Sequence, residues 1–515
     1  MSTTKITVDV GDLDDNRMKE VTVGETMILL ARVGDSYHAL SPHCPHYGAP
    51  LAKGSLHEGR IICPWHHACF DAATGDLIEP PSLDALACHP VTIEDGEVVV
   101  HLGDDAPDRR TPSMSGRDAA VTRSVAIVGG GAAGYMAAQT LREDRFTGRI
   151  VMITREDRAP YDRPNLSKDY LHGHADPAWM PLRGDDFFEE HGMELMLDTE
   201  VTRLDAATRT LAFADGRTES FDMILLATGG VPRRLRIPGA DLQNIHTLRS
   251  FADADAIVEA AGTASRAVVI GASFIGMEAA FSLRKRGLDV TVVGPEPVPF
   301  SKSLGHEIGG LFQRLHESNG VAFRLGTSAV GLEGNDKVEA VVLENGERLE
   351  ADLVIVGIGV ELATGMIDGL ELGRDGSVRV DRYLKAAEGV YAAGDIARYP
   401  DRRTGEPTRI EHWRVALQQG RVAAHNIAGR QEAFDRVPFF WTRQFDRTLQ
   451  YLGHASKWDE IIWDGEVDSF SFLAYYIHEN RVVAVAAMGH DRKLARLEHL
   501  MRLDQMPSVA ELRGG

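Results

Sequence analysis

The chain begins with short segments in which hydrophobic and polar residues alternate. Over residues 1–103 the segments KITVDV, KEVTV, TMILLARV, SYHALS and RIICP are separated by turns that are rich in Gly, Asp and Pro. Alternation with a period of two is typical of half-buried strands, so the pattern predicts a small all-β domain. Residues 104–122 are polar and show no periodicity, which predicts a linker.

From residue 123 the pattern changes to apolar strands, each followed by a glycine turn and a run with helical period. This pattern occurs twice, first in SVAIVGGGAAGYMAAQTLRE and again in RAVVIGASFIGMEAAFSLRKRG. The first glycines of the two turns, Gly129 and Gly271, lie 142 positions apart. FADGRTESFDMILLATG and LENGERLEADLVIVGIG close the two units in the same way. This duplication predicts two α/β units, with the first at 123–248 and 378–432 and the second at 249–377.

The last segment, 433–515, returns to strand-like runs and closes with helical residues, which predicts an α+β C-terminal domain. The whole chain of 515 residues is therefore expected to be a multi-domain protein, as its length also suggests. The formal net charge of −21 argues against a nucleic-acid surface and against a basic membrane-docking patch. We find no run of eighteen apolar residues and no signal-peptide pattern, and we expect a cytoplasmic protein.

Cysteine is rare and confined to the first hundred residues. The four cysteines are Cys44, Cys63, Cys69 and Cys88. Four cysteines in a chain of this length exclude a disulfide scaffold. Because none follows Cys88, the α/β units cannot carry the redox-active cysteines of a disulfide reductase or a peroxidase.

The first glycine turn has the features of a dinucleotide site. Gly129, Gly131 and Gly134 fill the G-x-G-x-x-G positions between a predicted strand and a predicted helix. The first allows a tight turn, the second lets a pyrophosphate approach the backbone, and the third lets the helix pack on the strand. Glu156 ends the next strand, where a carboxylate can accept hydrogen bonds from a ribose hydroxyl.

The second turn is similar but has a serine in the middle position. Its residues are Gly271, Ser273 and Gly276, and plain tight packing is the alternative interpretation of either turn. Gly294 stands where an acid is commonest at the end of the next strand, and Glu296 follows two residues later. No Arg or Lys follows directly to hold a 2′-phosphate, which favours NADH over NADPH.

Residues 123–510 resemble a known superfamily. The tandem units, with ATG at Ala227, Thr228 and Gly229 and GD at Gly394 and Asp395, are similar to the FAD/NAD-dependent pyridine nucleotide oxidoreductases. The segments PYDRPNLSKDYL, HWRVALQQG and FFWTRQFD resemble those of the oxygenase ferredoxin-reductase branch and of the proteins that are similar to apoptosis-inducing factor.

This resemblance implies cofactors and residue roles. FAD would lie on the first unit with Asp395 at its ribityl or phosphate region, and NADH on the second unit. Arg163 and Lys168 would sit beside the flavin, Glu278 near the nicotinamide and Trp413 against the flavin edge. The structural alternatives are a surface ion pair for Arg163 and Lys168, a helix-surface acid for Glu278 and a core aromatic for Trp413.

Four candidate metal ligands lie in the N-terminal domain. Cys44 and His46 form C-x-H, and Cys63 and His66 form C-x-x-H. A zinc site is one alternative, but the motif lacks the C-x2-4-C and H-x3-5-H pairs of structural zinc. With GAPL after the first loop and FDAATGDL after the second, residues 5–103 resemble a Rieske [2Fe–2S] domain, which implies that the two Cys bind one iron and the two His bind the other.

Four substitutions in these loops indicate a low reduction potential. High-potential Rieske proteins have a disulfide where this chain has Ala49 and Trp65, and hydroxyl groups where it has Ala68 and Phe70. Hydrogen bonds to the sulfurs raise the potential of a cluster, so we predict a ferredoxin-type cluster near the low end of the Rieske range, about −150 mV. We expect Cys69 and Cys88 to be small buried residues rather than ligands, and His43, His57 and His67 to be structural.

Together these parts predict an NADH-dependent reductase that passes electrons through FAD and the cluster to an acceptor protein, such as a terminal oxygenase. The linker would let the Rieske domain approach the flavin and then swing toward the acceptor. The alternatives are a redox-sensing interaction protein similar to apoptosis-inducing factor, and an electron-transfer component of the nitrite-reductase type. A homodimer is possible, since the C-terminal domain is an interface in some proteins of the superfamily.

Overall fold

The computed structural model describes residues 3–11, 13–23, 26–103, 107–184 and 186–514. Its N-terminal domain is built from short antiparallel strands, as the alternating pattern predicts. They are β1 (Thr3–Val8), β2 (Arg17–Val23), β3 (Thr26–Val33), β4 (Ser36–Leu40), β5 (Ser55–His57), β6 (Arg60–Ile62), β7 (Cys69–Asp71), β8 (Leu77–Glu79), β9 (Cys88–His89), β10 (Val91–Glu94) and β11 (Glu97–Gly103). The sheets have the strand orders β1-β11-β10, β2-β3-β4-β9 and β5-β6-β7-β8.

Two cysteines of this domain are not part of the ligand motif, and they differ in burial. Cys69 is fully buried, but Cys88 is exposed, so its predicted burial is wrong. Cys88 lies on β9, the edge strand of its sheet, where successive side chains alternate between faces. The neighbours Ala87 and His89 take the inward positions, which leaves the Cys88 thiol at the surface.

The first α/β unit has a parallel sheet with the order β14-β13-β12-β18-β32-β31, in which only β31 is antiparallel to its neighbour. Its N-terminal part contains β12 (Ser124–Val128), α1 (Ala132–Glu143), β13 (Arg149–Ile153), α2 (Phe187–Glu190), β14 (Met193–Met196), β15 (Val201–Asp205), β16 (Thr210–Phe213), β17 (Thr218–Ser220), β18 (Met223–Leu226) and β19 (Gly230–Pro232). The strands β12 and β18 are almost continuously apolar, as is typical of parallel strands that are buried on both faces.

The second α/β unit has a parallel sheet with the order β20-β27-β21-β22-β23. Its elements are β20 (Ile245–Thr247), α3 (Phe251–Ala261), β21 (Arg266–Ile270), α4 (Phe274–Lys285), β22 (Asp289–Gly294), α5 (Ser301–Leu304), α6 (His306–Ser318), β23 (Val321–Leu325), β24 (Ala329–Glu333), β25 (Ala340–Leu343), β26 (Arg348–Glu350) and β27 (Leu353–Val356).

The chain then returns to the first unit. The returning elements are β28 (Val360–Leu362), β29 (Ile367–Asp368), β30 (Val378–Arg379), β31 (Lys385–Ala387), β32 (Val390–Ala392), β33 (Ala397–Pro400), β34 (Pro407–Thr408) and α7 (Trp413–Ala428). Strand β20 pairs with β27, whereas β28 pairs with β19 and β29 with β15. Strand pairing therefore joins β20 to the sheet of the second unit, and joins β28 and β29 to strands of the first, whereas the predicted limits of the second unit are 249 and 377.

The C-terminal domain is an antiparallel sheet with the order β35-β36-β39-β38-β37, covered by a helix. Its elements are β35 (Phe439–Gln444), β36 (Arg447–Gly453), β37 (Glu460–Glu466), β38 (Ser471–His478), β39 (Arg481–Met488), α8 (Asp491–Arg502) and α9 (Val509–Gly514). Helix α8 buries Leu494, Leu497 and Met501 against this sheet.

The predicted linker lies along the surface of the first α/β unit. Its first three residues, 104–106, are outside the described part of the chain. After them the Arg110 carbonyl accepts a bond from the Ala85 N–H, and the Ser115 and Asp118 N–H groups donate to carbonyls of the first unit at 2.9 and 2.8 Å. In the described ranges, no helix is both long enough and apolar enough to cross a membrane.

Candidate functional site

The four predicted cluster ligands meet at the tip of the N-terminal domain. Cys44 and His46 lie in the loop between β4 and β5, and Cys63 and His66 lie between β6 and β7. The Nδ1 atoms of the two histidines are 3.1 Å apart, and both thiols are buried. The loops also point backbone N–H groups of the following residues at each sulfur.

This set of donors fits a [2Fe–2S] cluster. Burial lowers the pKa of His46 to about 3 and that of His66 well below its ordinary value, so both imidazoles are neutral at pH 7 with a lone pair available for iron. Two thiols and two imidazoles supply two protein ligands for each of two irons. Among the described residues, no three His, Cys, Asp or Glu side chains converge on a single metal ion.

The histidine side of the cluster loops faces the reductase part of the chain. The His66 ring lies 4.1 Å from the ring of Trp441 on β35, measured between centroids, and the His46 ring lies 6.3 Å from it. On the other side, the Tyr47 hydroxyl donates to the carboxylate of Asp162. Asp162 directly precedes Arg163, which the resemblance places beside the flavin.

A second group of predicted residues comes together at the carboxyl ends of the first sheet. Glu156 accepts a bond from Arg163 Nη2 at 2.7 Å, and Arg163 also donates to the carbonyl of Arg249 at 2.6 Å. The Arg249 guanidinium in turn pairs with Asp395 at 2.7 Å. Glu156, Arg163 and Asp395 thus share one site, and Arg249, which the sequence analysis missed, connects them.

Glu278 is the centre of a third group. Its carboxylate is almost fully buried and accepts bonds from Lys168 Nζ at 2.7 Å, from Ser167 and from Thr442 at 2.7 Å. It is therefore a buried ion-pair partner of Lys168 and not a helix-surface acid. Thr442 belongs to the C-terminal domain and directly follows Trp441, so strand β35 connects this group to the cluster ligands.

The glycine turns have the geometry that dinucleotide binding requires. Gly129 has φ +123°, and a Cβ at this position would lie 2.2 Å from the Ala227 carbonyl oxygen. A Cβ at Gly131 would meet no atom within 4 Å, so the backbone at Gly131 is open to a ligand. Gly134 packs against the Gly129 carbonyl. The Thr228 hydroxyl beside this turn is buried with no hydrogen-bond partner in the described residues, which leaves a polar group for a ligand.

The second turn repeats this geometry. Gly271 has φ +116° and packs against Gly357, and Gly276 packs against the Gly271 carbonyl. The Ser273 hydroxyl donates to the Gly357 carbonyl at 3.0 Å, which turns it away from the open side of the turn. Glu296 accepts a bond from Lys302 at 2.9 Å, a lysine that the sequence analysis did not connect with this position.

Two other predicted residues lie on the first unit. The Gly394 N–H donates to Gln419 Oε1 at 2.8 Å, and Gly394 packs close to α1 and α7. Trp413 is half-buried and packs against the core of the first unit at the start of α7. In the described residues of the reductase part, the aromatic ring that contacts the cluster histidines is Trp441.

A buried polar network joins the N-terminal domain to the rest of the chain. The Arg414 guanidinium is fully buried and donates to the carbonyls of Pro80 at 3.0 Å and His67 at 2.8 Å. It also pairs with Glu498 of α8 at 2.9 Å and Glu79 of β8 at 3.3 Å. A swing of the N-terminal domain would have to break these contacts. It would leave Arg414 and its carboxylate partners either exposed to solvent or buried without an ion-pair partner.

The pKa values of the two buried carboxylates, Glu498 and Glu79, are consistent with these ion pairs. Burial raises the pKa of Glu498, but Arg414 and His67 overcome that effect and hold it at about 2. Burial likewise raises the pKa of Glu79, and Arg436 and Arg414 hold it below its ordinary value. His67 stacks on Phe439 with ring centroids 3.9 Å apart. This contact agrees with the structural role predicted for His67.

Known families account for nearly the whole chain. Residues 123–420 match the pyridine nucleotide-disulphide oxidoreductase model, residues 4–90 match the Rieske [2Fe–2S] domain and residues 439–514 match the reductase C-terminal domain. The chain belongs to the pyridine nucleotide-disulphide oxidoreductase family. As a member with a Rieske domain, it is an oxidoreductase that uses FAD, NAD(P) and a [2Fe–2S] cluster.

Relatives cover the chain to different extents. Human apoptosis-inducing factor 3 is 36% identical over 96% of this chain and 83% of its own length. The ferredoxin reductase component of chlorobenzene dioxygenase from Cupriavidus sp. is 34% identical over 73% of this chain and 92% of its own length. The solved covalent putidaredoxin reductase–putidaredoxin complex has a TM-score of 0.72 at 30% identity and covers 76% of this chain and 95% of that one.

Proposed function

We propose that this chain is an NADH-dependent reductase that passes electrons from NADH through FAD to its own Rieske cluster, and from there to a one-electron acceptor protein such as a Rieske-type oxygenase. The observation that carries the proposal is the position of the two histidine ligands. Both rings lie near Trp441, and Tyr47, which stacks on His46, donates to Asp162. The cluster loops therefore contact the segment that the resemblance places beside the flavin.

The residues of the chain have separate tasks in this scheme. NADH supplies a hydride, FAD accepts two electrons and releases them singly, and the cluster takes one at a time. Glu278 holds the Lys168 ammonium in place, and Thr442 fixes the carboxylate from the C-terminal domain. Trp441 fills the space beside His66 and excludes water from that part of the junction.

The preference for NADH rests on Glu296. A carboxylate at this position accepts hydrogen bonds from ribose hydroxyls and repels a 2′-phosphate. Lys302, on the short helix α5, pairs with Glu296 and offsets part of that repulsion. We expect kcat/KM for NADH to exceed kcat/KM for NADPH. Glu296→Gln should lower the ratio of these two values, because it removes the negative charge that repels the 2′-phosphate.

Removal of one cluster ligand tests the proposed route. Cys63→Ala should abolish electron delivery to a Rieske-type oxygenase and leave the NADH-dependent reduction of ferricyanide by the flavin intact. Cys69→Ala is the matched control, since Cys69 is a buried cysteine of the same domain that is not a ligand. Unchanged electron delivery by Cys63→Ala would show that the cluster is not on the route.

A second candidate is a redox-sensing interaction protein. It is favoured by the name of the relative that spans nearly the whole chain, apoptosis-inducing factor 3. In that case NADH would change the oligomeric state, and the cluster would be reduced slowly. Size-exclusion chromatography with and without NADH under anaerobic conditions separates this function from that of an oxygenase reductase.

A further inference from the structure

A surface cavity of about 380 Å³ lies where three parts of the chain meet, apart from the cofactor sites. Arg60 reaches it from β6 of the Rieske domain, and Arg502 from the end of α8. Arg402 and Arg436 line it from the segments before and after α7. The Rieske domain, the first α/β unit and the C-terminal domain thus each contribute cationic groups to one cavity.

The guanidinium groups in this cavity have unused donors. The Nε atoms of Arg60 and Arg502 are buried and have no hydrogen-bond partner within the described residues. Arg60 uses Nη2 to bond Glu79 at 2.7 Å, and Arg402 pairs with Asp435 at 3.0 Å. The carboxylate that pairs with Arg502 in the described residues is Glu58, at 3.6 Å. Buried donors without partners are destabilising, so a ligand that accepts hydrogen bonds is favoured here.

The charge of the cavity favours an anion. Its lining has four arginines and two carboxylates, Glu79 and Asp435. Glu79 also receives Arg414 and the Gln418 side-chain amide at 2.7 Å on its other side, so its charge is shared with the buried network. Arginine forks match the geometry of phosphate oxygens, which accept two parallel N–H bonds.

We propose that this cavity is a binding site for a phosphate-type oxyanion, either a free anion or the diphosphate of a small molecule. Its volume is within the range of small-ligand sites. Because Arg60 belongs to the Rieske domain and the other three arginines to the reductase, the bound anion bridges the two. A ligand that binds only the docked arrangement stabilises it by mass action.

Isothermal titration calorimetry on the full chain, loaded with FAD and cluster, tests the proposal. Saturating NAD⁺ keeps the dinucleotide sites filled, and pyrophosphate and inorganic phosphate are titrated at constant ionic strength. We expect one site, with pyrophosphate bound more tightly than phosphate. The double variant Arg402→Gln/Arg502→Gln should weaken binding at least about ten-fold, because it removes two charged hydrogen-bond donors from the site.

The control variant is Arg203→Gln/Arg348→Gln. These two arginines are exposed and paired with carboxylates, Asp368 and Glu333, and they lie outside the cavity. The control should bind pyrophosphate as the wild type does. No binding at millimolar pyrophosphate, or equal binding by the cavity variant and the control, would overturn the proposal.

A third titration identifies the source of the phosphate group. ADP is titrated into the wild type and into the Arg402→Gln/Arg502→Gln variant. Binding of ADP that the variant weakens indicates a nucleotide ligand. Binding of pyrophosphate and phosphate but not of ADP indicates a free anion. Both results support the site. The readout is binding heat rather than turnover, so it is independent of the acceptor of the reductase.

Discussion

Buried charges are compensated by specific donors at the residue scale. Glu278 is held by one ammonium and two hydroxyls, and Arg163 connects Glu156 to the backbone of Arg249. A buried carboxylate in such a network fixes the geometry of its hydrogen-bond partners. The Glu278–Lys168 pair is thus a rigid polar feature between the two dinucleotide units.

Glu278→Gln tests this pair. The amide keeps the hydrogen-bonding capacity toward Thr442 but loses the charge opposite Lys168. Because a charged hydrogen bond is stronger than a neutral one by about 1–2 kcal/mol, we expect reduction of the flavin by NADH to slow by roughly ten-fold. Anaerobic stopped-flow absorbance measures this rate, and Glu307→Gln, a change on the neighbouring helix α6, serves as the control. An unchanged rate would contradict a role for the Glu278 charge.

The residues around the cluster allow a second prediction at this scale. Phe70 and Ala68 are fully buried and place no hydroxyl near the cluster loops. Phe70→Tyr should raise the reduction potential, because a hydroxyl that donates to a cluster sulfur stabilises the reduced state. Phe70→Leu adds no donor and is the control. A voltammetric titration in which Phe70→Tyr and Phe70→Leu shift the potential equally would refute this explanation.

At the scale of elements, helices α7 and α8 hold the Rieske domain. Arg414, at the start of α7, and Glu498, on α8, meet Glu79 and the His67 carbonyl of the Rieske domain in one buried cluster. Gln450 of β36 adds bonds to the carbonyls that precede the His66 ligand. The cluster loop is therefore fixed from the reductase side.

Arg414→Ala should destabilise this junction strongly. Removal of one partner from a buried ion-pair network leaves carboxylates without compensation, which costs roughly 3–5 kcal/mol. Denaturant unfolding, followed by the visible circular dichroism of the cluster, measures the loss. The exposed Arg443 gives the control, and Arg443→Ala should change the free energy of unfolding by no more than about 0.5 kcal/mol. Similar values for both variants would show that the junction adds little stability.

The pKa of Glu498 gives this junction a pH dependence. The pKa of about 2 in the folded chain lies below the ordinary 4.5, so the stabilisation is complete above about pH 5 and is lost as the pH falls toward 2. The stability difference between wild type and Glu498→Gln should therefore shrink between pH 5 and pH 3. Arg414, His67 and Glu79 are the charged groups that face it. A difference that stays constant with pH would exclude ionisation of Glu498 as its source.

The sequence allowed prediction of features that are local in the chain. The cluster ligands follow from the C-x-H and C-x-x-H spacing, and the glycine turns follow from the G-x-G-x-x-G spacing between an apolar strand and a helical run. Trp441, Arg249 and Arg414 were missed because their roles arise from contacts between segments far apart in sequence. The pairing of Ile245–Thr247 and Val360–Leu362 could not be predicted for the same reason, since their partner strands lie far away in the sequence.

At the scale of the whole molecule, the Rieske domain and the reductase form one continuous body in which the cluster loops meet strand β35 and the flavin-side segment. The expected swing of the Rieske domain is not needed to bring the cluster to the flavin side. Electron transfer into the cluster is then a process within one chain. Its rate should not depend on protein concentration.

The most direct test is anaerobic stopped-flow reduction by NADH, with the flavin and cluster absorbance followed separately at several protein concentrations. The account predicts that the flavin band bleaches first and that the cluster is then reduced at a rate that is independent of protein concentration. A cluster that stays oxidised, or a cluster reduction rate that rises in proportion to protein concentration, would contradict it.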